Sequence, residues 1–122
     1  MGPDAIAGLH HVAFAMRDSQ ALVAAADVLS DAGLVESLEY GPGRHGVTDA
    51  FFLYIKDPDG NRIELYAGDY LRDLDRPPIV WSAEQYASRG LLWWGQAPPV
   101  SFRESLPLLE RGLVPEPARS AA

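Results

Sequence analysis

Hydrophobic positions along the first half of the chain change from alternating to helical spacing and back again. Residues 9–16 alternate between bulky apolar and smaller side chains, which predicts a β-strand. Leucine and alanine then recur at helical spacing, with Asp18 or Ser19 as a candidate N-cap and Gly33 as a candidate stop after Ala32. The pattern therefore predicts a strand followed by one amphipathic helix.

A second strand and a glycine-rich segment are expected next. Residues 34–40 predict an irregular strand with Glu36 and Glu39 exposed. Residues 41–46 have the sequence GPGRHG. Three glycines and a proline within six residues disfavour regular structure, so this segment is predicted to be a loop.

The next two strands form a predicted hairpin. Residues 50–56 are rich in aromatic and branched side chains, and residues 57–60 have the turn sequence DPDG. Residues 61–67 are then expected to return antiparallel to the preceding strand. The order of strand, helix and three strands predicts an α+β fold.

The chain is long enough for one domain but not for two, with 122 residues. We assign residues 8–68 to a single βαβββ module. After it the periodicity weakens, so residues 69–114 are predicted to be an irregular extension with short helical turns. Residues 115–122 are predicted to be a flexible tail.

Composition excludes several classes of partner. The formal net charge is −7 and the pI is near 4.7, which argues against nucleic acid as a partner. No basic cluster or long apolar stretch indicates a membrane partner, and no signal peptide is recognised, so a cytoplasmic protein is expected. Cysteine is absent, so any metal must be held by nitrogen and oxygen ligands.

Strand alternation assigns chemistry-bearing residues to one face of the sheet. Val12 and Phe14 form the bulky side of the first strand and are expected to pack on the helix, which leaves His11 on the opposite side. The same rule turns Tyr54 and Glu64 to the face that carries His11. Side chains expected to face the helix from the hairpin are Phe51, Leu53, Ile55, Ile63 and Leu65.

A histidine and a glutamate on one sheet face suggest a metal site. Alone, His11 is explained by a hydrogen bond to backbone, and Glu64 by an ion pair with Arg62 or by an edge position. Together they form a ligand pair suited to Fe(II), Mn(II), Ni(II) or Zn(II). His10 points away by alternation, and His45 lies on the predicted glycine loop, where a ligand would be poorly ordered. A further ligand is therefore expected from a partner module.

Four sequence segments together resemble one protein family. The chain is similar to the last module of a type I extradiol dioxygenase, of the catechol and homoprotocatechuate 2,3-dioxygenase branch of the vicinal oxygen chelate superfamily. The similarity spans about residues 8–100. The turn motif is shared across the superfamily, whereas the glycine-rich motif is more specific to the dioxygenases. The segments are residues 9–14 (LHHVAF), 41–46 (GPGRHG), 50–54 (AFFLY) and 57–66 (DPDGNRIELY).

The resemblance implies a vicinal oxygen chelate fold with a curved mixed sheet and a non-haem metal site. It implies that His11 and Glu64 are two of the three ligands of Fe(II), with Mn(II) as an alternative ion. It implies that His45 and Tyr54 are catalytic residues that contact a catechol-type substrate, whose ring is opened with O2. The third ligand belongs to a preceding βαβββ module that this chain lacks, so the chain alone is expected to be inactive. The resemblance also implies that the C-terminal extension, residues 69–114, includes a lid segment over the active site.

Two other functions stay open from the sequence. A lone module would most simply cover its exposed sheet face with a second copy of itself, which predicts a symmetric homodimer. Such a dimer would bring together two histidines and two glutamates, as in a glyoxalase-like, metal-dependent lyase or isomerase. A non-catalytic small-molecule binding protein of the same superfamily is the third alternative.

Overall fold

The structure is a computed structural model that describes residues 8–68, residue 75 and residues 77–107. The predicted tail, residues 115–122, lies outside the described residues, as does most of the segment between residues 69 and 76. The strands are β1 (Gly8–Leu9), β2 (Val12–Ala15), β3 (Leu38–Arg44), β4 (Phe51–Lys56), β5 (Arg62–Ala67) and β6 (Leu106–Pro107). The helices are α1 (Ser19–Asp31) and α2 (Ala83–Gln85), with a π-helical turn at Tyr86–Gly90 and 3-10 turns at Val35–Ser37 and Val100–Arg103.

Four strands form one open mixed sheet in the order β2-β5-β4-β3. β2 runs parallel to β5, whereas β5 with β4 and β4 with β3 are antiparallel. β1 and β6 form a separate antiparallel pair. The predicted α+β class is confirmed. No helix in the described ranges is long and apolar enough to cross a membrane.

Helix α1 begins and ends at the residues that its sequence signals predict. The Asp18 carboxylate accepts a hydrogen bond from the backbone N–H of Ala21 at 2.9 Å, which satisfies a free donor in the first turn. Gly33 follows the helix with a φ of 71°, a conformation that glycine adopts without a steric cost. Leu22 faces the sheet and is buried.

A layer of mainly aliphatic side chains, called the aliphatic layer below, fills the space between α1 and the sheet. Val12 and Phe14 were expected to join it, but they are 45% and 53% exposed, and this expectation is wrong. The helix lies over β4 and β5, so β2 remains at the sheet edge, where its bulky side is only partly covered. The layer consists of Met16, Leu22, Ala26, Leu38, Phe51, Leu53, Ile55, Leu65 and Ala67.

The opposite face of the sheet is built on aromatic rings. Tyr40, Phe52 and Tyr54 extend from the neighbouring strands β3 and β4, and Phe102 of the C-terminal segment packs on them. The Tyr40 hydroxyl is buried and has no hydrogen-bond partner within the described part of the chain. Alternation thus separates an aliphatic face from an aromatic one, as expected for Leu53 and Tyr54.

Strand β3 departs from the sequence prediction. Residues 35–37 form a 3-10 turn rather than a strand, and residues 41–44 of the predicted loop continue β3. The strand stays paired with β4 through two register shifts, so the glycines mark bulges. A Cβ on Gly43 would lie only 2.6 Å from the Phe52 ring, so glycine allows the close approach of strand and ring.

The hairpin between β4 and β5 is confirmed, and its turn is closed by Asp57. The Asp57 carboxylate accepts hydrogen bonds from the backbone N–H groups of Asp59 and Asn61 at 3.0 and 2.8 Å. Because Lys56 then faces Arg62, the register places Glu64 opposite Tyr54. The turn therefore fixes which side chains meet on the aromatic face.

A buried ion pair connects the sheet to the C-terminal segment. Glu39 was expected to be exposed, but its side chain is 6% exposed and accepts bonds of 2.5 and 2.9 Å from the Arg62 guanidinium. Arg62 also donates to the carbonyls of His10, Ser101 and Glu104 at 3.0, 2.7 and 2.7 Å. Burial would raise the pKa of Glu39, but hydrogen bonds from Arg62 and Ser101 and the nearby positive charges lower it to about 2. The expectation failed because the partner is distant in sequence.

Candidate metal centre

A cavity of about 440 Å³ lies on the face of the sheet away from α1, and all four predicted site residues line it. They are contributed by separate parts of the chain: His11 precedes β2, His45 follows β3, Tyr54 lies in β4 and Glu64 in β5. Small and apolar side chains form much of the remaining wall, namely Ala13, Val47, Ala50 and Leu91. The volume is typical of a site for a small organic molecule.

Glu64 lies at the centre of the cluster. Its Oε2 is 3.1 Å from Nε2 of His11, and its Oε1 is 3.3 Å from Nε2 of His45. Burial would raise the pKa of Glu64, but hydrogen bonds from His45 and Tyr54 outweigh burial and hold the pKa below its usual value. The carboxylate is therefore charged at neutral pH and directed into the cavity.

His11 lies at the more open side of the cluster. Its side chain is 32% exposed, compared with 10% for Glu64. Burial lowers the pKa of His11 by more than the charge of Glu64 raises it, which favours the neutral ring. The ring packs edge-on against Tyr54, with a centroid distance of 5.4 Å. A neutral imidazole beside a charged carboxylate is a typical pair of ligands for a divalent cation.

His45 is held firmly, contrary to the expectation of a poorly ordered loop residue. Its Nδ1 lies 2.5 Å from the carbonyl oxygen of Leu91, and its backbone N–H donates to Ala50 at 2.9 Å. The ring stacks on Phe52 at a centroid distance of 4.2 Å. Burial would lower the pKa of His45, but hydrogen bonds to Glu64 and to the Leu91 carbonyl outweigh it and raise the pKa.

Tyr54 contributes a hydroxyl that remains protonated. The hydroxyl oxygen lies 3.2 Å from Nε2 of His45, and the ring stacks on Tyr40 with an interplanar angle of 10°. Burial raises the pKa of Tyr54 far above its usual value, and the charge of Glu64 raises it further. The group is therefore available as a hydrogen-bond donor across the accessible pH range.

The donor set fits a divalent cation. Two ligand atoms that are each about 2.1 Å from a cation and at right angles to each other are about 3 Å apart, which resembles the 3.1 Å between His11 Nε2 and Glu64 Oε2. Among residues 8–68, 75 and 77–107, no group of three or more His, Asp or Glu side chains is arranged to hold a metal ion. The described chain therefore offers a pair of candidate ligands rather than a closed site.

Several contacts at the site could not be recognised in the sequence. The Leu91 carbonyl that holds His45 is a backbone group 46 residues away, and nothing in the pattern identifies it. The sequence offers Arg62 as an ion-pair partner of Glu64, whereas its carboxylate partner in the structure is Glu39. Alternation predicts that His10 points away from the site, whereas its Nδ1 lies 2.7 Å from Nδ1 of His11.

Comparison with known proteins identifies relatives of one functional kind. Residues 1–65 match the family model "Glyoxalase/Bleomycin resistance protein/Dioxygenase superfamily". The chain is 44% identical over 89 residues to a manganese-dependent 2,3-dihydroxybiphenyl 1,2-dioxygenase from Geobacillus genomosp. 3, covering 71% of this chain and 28% of that protein. It is 36% identical over 96 residues to a metapyrocatechase from Geobacillus stearothermophilus, covering 77% of this chain and 29% of that protein.

Solved structures agree with the sequence relatives. Homoprotocatechuate 2,3-dioxygenase from Arthrobacter globiformis superposes with a TM-score of 0.68 at 40% identity, over 81% of this chain and 31% of that one. A substrate complex of the Brevibacterium fuscum enzyme with 3,4-dihydroxyphenylacetate gives a TM-score of 0.70 at 39% identity, over the same 81% of this chain. The chain thus spans less than a third of these relatives. The predicted resemblance is confirmed, and the chain belongs to the Glyoxalase/Bleomycin resistance protein/Dioxygenase superfamily.

Proposed function

We propose that this chain is the C-terminal part of an extradiol dioxygenase that opens a catechol-type ring with O2. The observation that carries the proposal is the meeting of His11, His45 and Tyr54 around the charged Glu64 in one cavity. The kind and coverage of the relatives support it, because they are ring-cleaving dioxygenases that this chain matches over less than a third of their length.

His11 and Glu64 are the proposed ligands within this chain. The metal ion, when bound, would hold the two substrate oxygens and O2 next to one another and allow electrons to pass between them. We propose Fe(II) as the ion. Neutral imidazole and carboxylate also accept Mn(II), on which one relative is named as dependent. The third ligand in the proposal is a histidine of another module.

His45 is the proposed acid–base residue. The Leu91 carbonyl can only accept a hydrogen bond, so Nδ1 of His45 carries a proton and Nε2 faces the cavity. In the neutral ring Nε2 takes a proton from a substrate hydroxyl, and in the charged ring it returns that proton to an oxygen of the opening ring. Burial would lower the pKa of His45, but its hydrogen bonds raise it, which favours the charged form that returns the proton.

Tyr54 and the apolar wall are proposed to orient the substrate. The Tyr54 hydroxyl, protonated and 3.2 Å from His45 Nε2, is placed to donate to a substrate oxygen that approaches the same nitrogen. Ala13, Val47 and Leu91 line the cavity with small or apolar groups against which a flat ring can pack. A small aromatic diol fits this combination of a polar floor and apolar walls.

The open edge of the sheet is the proposed contact for a second βαβββ module. β2 has no neighbour on its outer side among the described strands, and its residues Val12 and Phe14 are each more than two-fifths exposed. Apolar residues on an unpaired edge favour association with another sheet. We propose a preceding module of the same protein as the partner and a symmetric copy of the chain as the alternative. A cytoplasmic location remains the expectation from sequence.

The test is complementation, with metal supplied. The chain is co-expressed with the N-terminal part of the metapyrocatechase from Geobacillus stearothermophilus, complex formation is checked by solution mass, and O2 consumption is followed after anaerobic addition of Fe(II). We expect no catechol-dependent O2 uptake by the chain alone, uptake by the complex, and loss of uptake in Glu64→Gln. A metal-loaded complex without uptake, or uptake that survives Glu64→Gln, would contradict the proposal.

The same preparation tests the second candidate function, a glyoxalase-like enzyme built as a homodimer. The exposed edge of β2 also suits self-association, which would give a metal-binding homodimer with the ligand pair from each copy. A dimer of the chain alone that binds metal and isomerises a hemithioacetal, without O2 uptake in any assembly, would favour a glyoxalase-like enzyme. A dimer that binds an aromatic ligand without either reaction would favour a binding protein.

A further inference from the structure

His10 connects the candidate metal centre to the C-terminal segment. Its Nδ1 lies 2.7 Å from Nδ1 of His11, and its Nε2 lies 2.6 Å from the carbonyl oxygen of Phe102. The His10 ring is nearly perpendicular to both neighbouring rings, at 81° to His11 and 83° to Phe102. His10 thus joins a residue of the candidate site to a backbone group 92 positions away.

The chemistry of these atoms determines where the protons lie. A carbonyl oxygen only accepts hydrogen bonds, so Nε2 of His10 must carry a proton. In neutral His10 the other nitrogen, Nδ1, then has a lone pair. The proton between the two Nδ1 atoms must therefore belong to His11. Neutral His11 consequently has no proton on Nε2, the nitrogen that faces Glu64 at 3.1 Å.

We propose that His10 is a positioning residue that fixes the tautomer of His11, so that His11 presents an unprotonated Nε2 beside Glu64. The inference rests on the proposed ligand role of His11 and deepens it. Without a cation the arrangement places two acceptors, a nitrogen lone pair and a carboxylate oxygen, 3.1 Å apart. A cation between them relieves this repulsion, so the tautomer prepares the pair for a metal.

The carbonyl of Phe102 is itself held in place. The 3-10 turn at Val100–Arg103 is bound by Arg62, which donates to the carbonyls of Ser101 and Glu104 at 2.7 Å each. Arg62 also donates to the carbonyl of His10 at 3.0 Å, so one guanidinium orders both partners of the imidazole contact. The C-terminal segment therefore helps to fix the tautomer of His11, in addition to packing the Phe102 ring on the sheet.

The test measures tautomers directly in the metal-free chain. Long-range ¹H–¹⁵N spectra of ¹⁵N-labelled protein, recorded at a pH where the rings are neutral, distinguish the protonated nitrogen of each imidazole. We expect His10 to be protonated on Nε2 and His11 on Nδ1. In His10→Phe, which keeps an aromatic ring against Phe102, we expect His11 to move its proton to Nε2 and donate to Glu64. Arg103→Gln, an exposed residue of the same turn, is the matched control and should leave both tautomers unchanged.

The outcomes separate this inference from the proposed function. A proton on Nε2 of His11 in the unmodified chain would overturn the inference whether or not His10→Phe folds, and so would an unchanged His11 tautomer in a folded His10→Phe variant. Zn(II) affinity supplies a second readout, which we expect to weaken by about 10- to 100-fold in His10→Phe. If the complementation complex shows the predicted tautomers but binds no metal, the ligand role of His11 is contradicted. The positioning by His10 then still stands.

Discussion

The two faces of the four-stranded sheet consist of different kinds of side chain. The face under α1 is aliphatic apart from Phe51, is covered by the chain itself and contains no ionisable side chain in its core cluster. The opposite face has a floor of aromatic rings, and histidine, tyrosine and glutamate side chains rise from it into an open cavity. One alternation along each strand can therefore divide stability from chemistry, since the buried polar side-chain groups described on the second face have partners, apart from the Tyr40 hydroxyl.

The ion pair between Glu39 and Arg62 is buried on the second face, so its removal should have the largest effect on the free energy of unfolding. Arg62→Met leaves Glu39 buried without its main partner and removes the donor to three carbonyls. We expect a loss of about 3–5 kcal/mol in the free energy of unfolding, measured with urea. Lys56→Met is the matched control, since Lys56 is more exposed and 3.5 Å from the same carboxylate. It should cost less than about 1 kcal/mol, and equal effects would contradict the special place of Arg62.

A core substitution on the aliphatic face should change stability without changing the site. Leu53→Ala removes a side chain that is 3% exposed beneath α1, and we expect a loss of about 2–5 kcal/mol in urea unfolding. The tautomers of His10 and His11, read from nitrogen spectra below the unfolding transition, should remain those of the unmodified chain. Altered tautomers in this variant would show that the two faces are not separate.

Acid should weaken the ion pair before it disrupts the aliphatic layer. The pKa of Glu39 is about 2 in the folded chain, below the value of 4.5 of a free side chain, so its contribution is complete above about pH 4.5 and is lost as the pH falls toward 2. The contribution is on the order of 3 kcal/mol. Urea unfolding of the unmodified chain and Glu39→Gln across this range should give free energies that converge at low pH. A constant difference would contradict the linkage.

The smallest effect on stability is expected at Tyr40 on the second face. The Tyr40 hydroxyl is buried without a hydrogen-bond partner in the described residues, so Tyr40→Phe should be neutral or stabilise the chain by up to about 1 kcal/mol. Tyr54→Phe is the matched comparison, because that hydroxyl lies 3.2 Å from His45. It should destabilise by about 1 kcal/mol, measured by thermal unfolding of both variants in the same buffer. The opposite order would contradict the assignment of partners.

The sequence was sufficient to predict the features that depend on local interactions. Strand alternation alone placed His11, Tyr54 and Glu64 on one face, because side-chain direction in a strand follows from position. The cap at Asp18 and the turn at Asp57 were also predictable, since each motif is complete within five residues.

The sequence was insufficient where distant segments meet. The sequence predicts an exposed Glu39 and, by alternation, a His10 that points away from the site. Their partners, Arg62 and the Phe102 carbonyl, lie 23 and 92 residues away along the chain. The sequence predicts a loop at Gly41 and Gly43, whereas in the structure both allow a bulged strand to approach the Phe52 ring. No local pattern distinguishes these cases, because only the assembled sheet brings the segments together.

The central proposal is that His11 and Glu64 bind the metal, and paramagnetic broadening by Mn(II) tests it most directly. Small amounts of Mn(II) broaden NMR signals near even a weak site, so the two ligands of this chain suffice without a second module. We predict that the His11 ring and the Glu64 carboxyl signals broaden first, that Glu64→Gln abolishes the effect, and that the exposed control Glu36→Gln preserves it. Broadening that begins at surface carboxylates such as Asp59, and is unchanged in Glu64→Gln, would contradict the proposal.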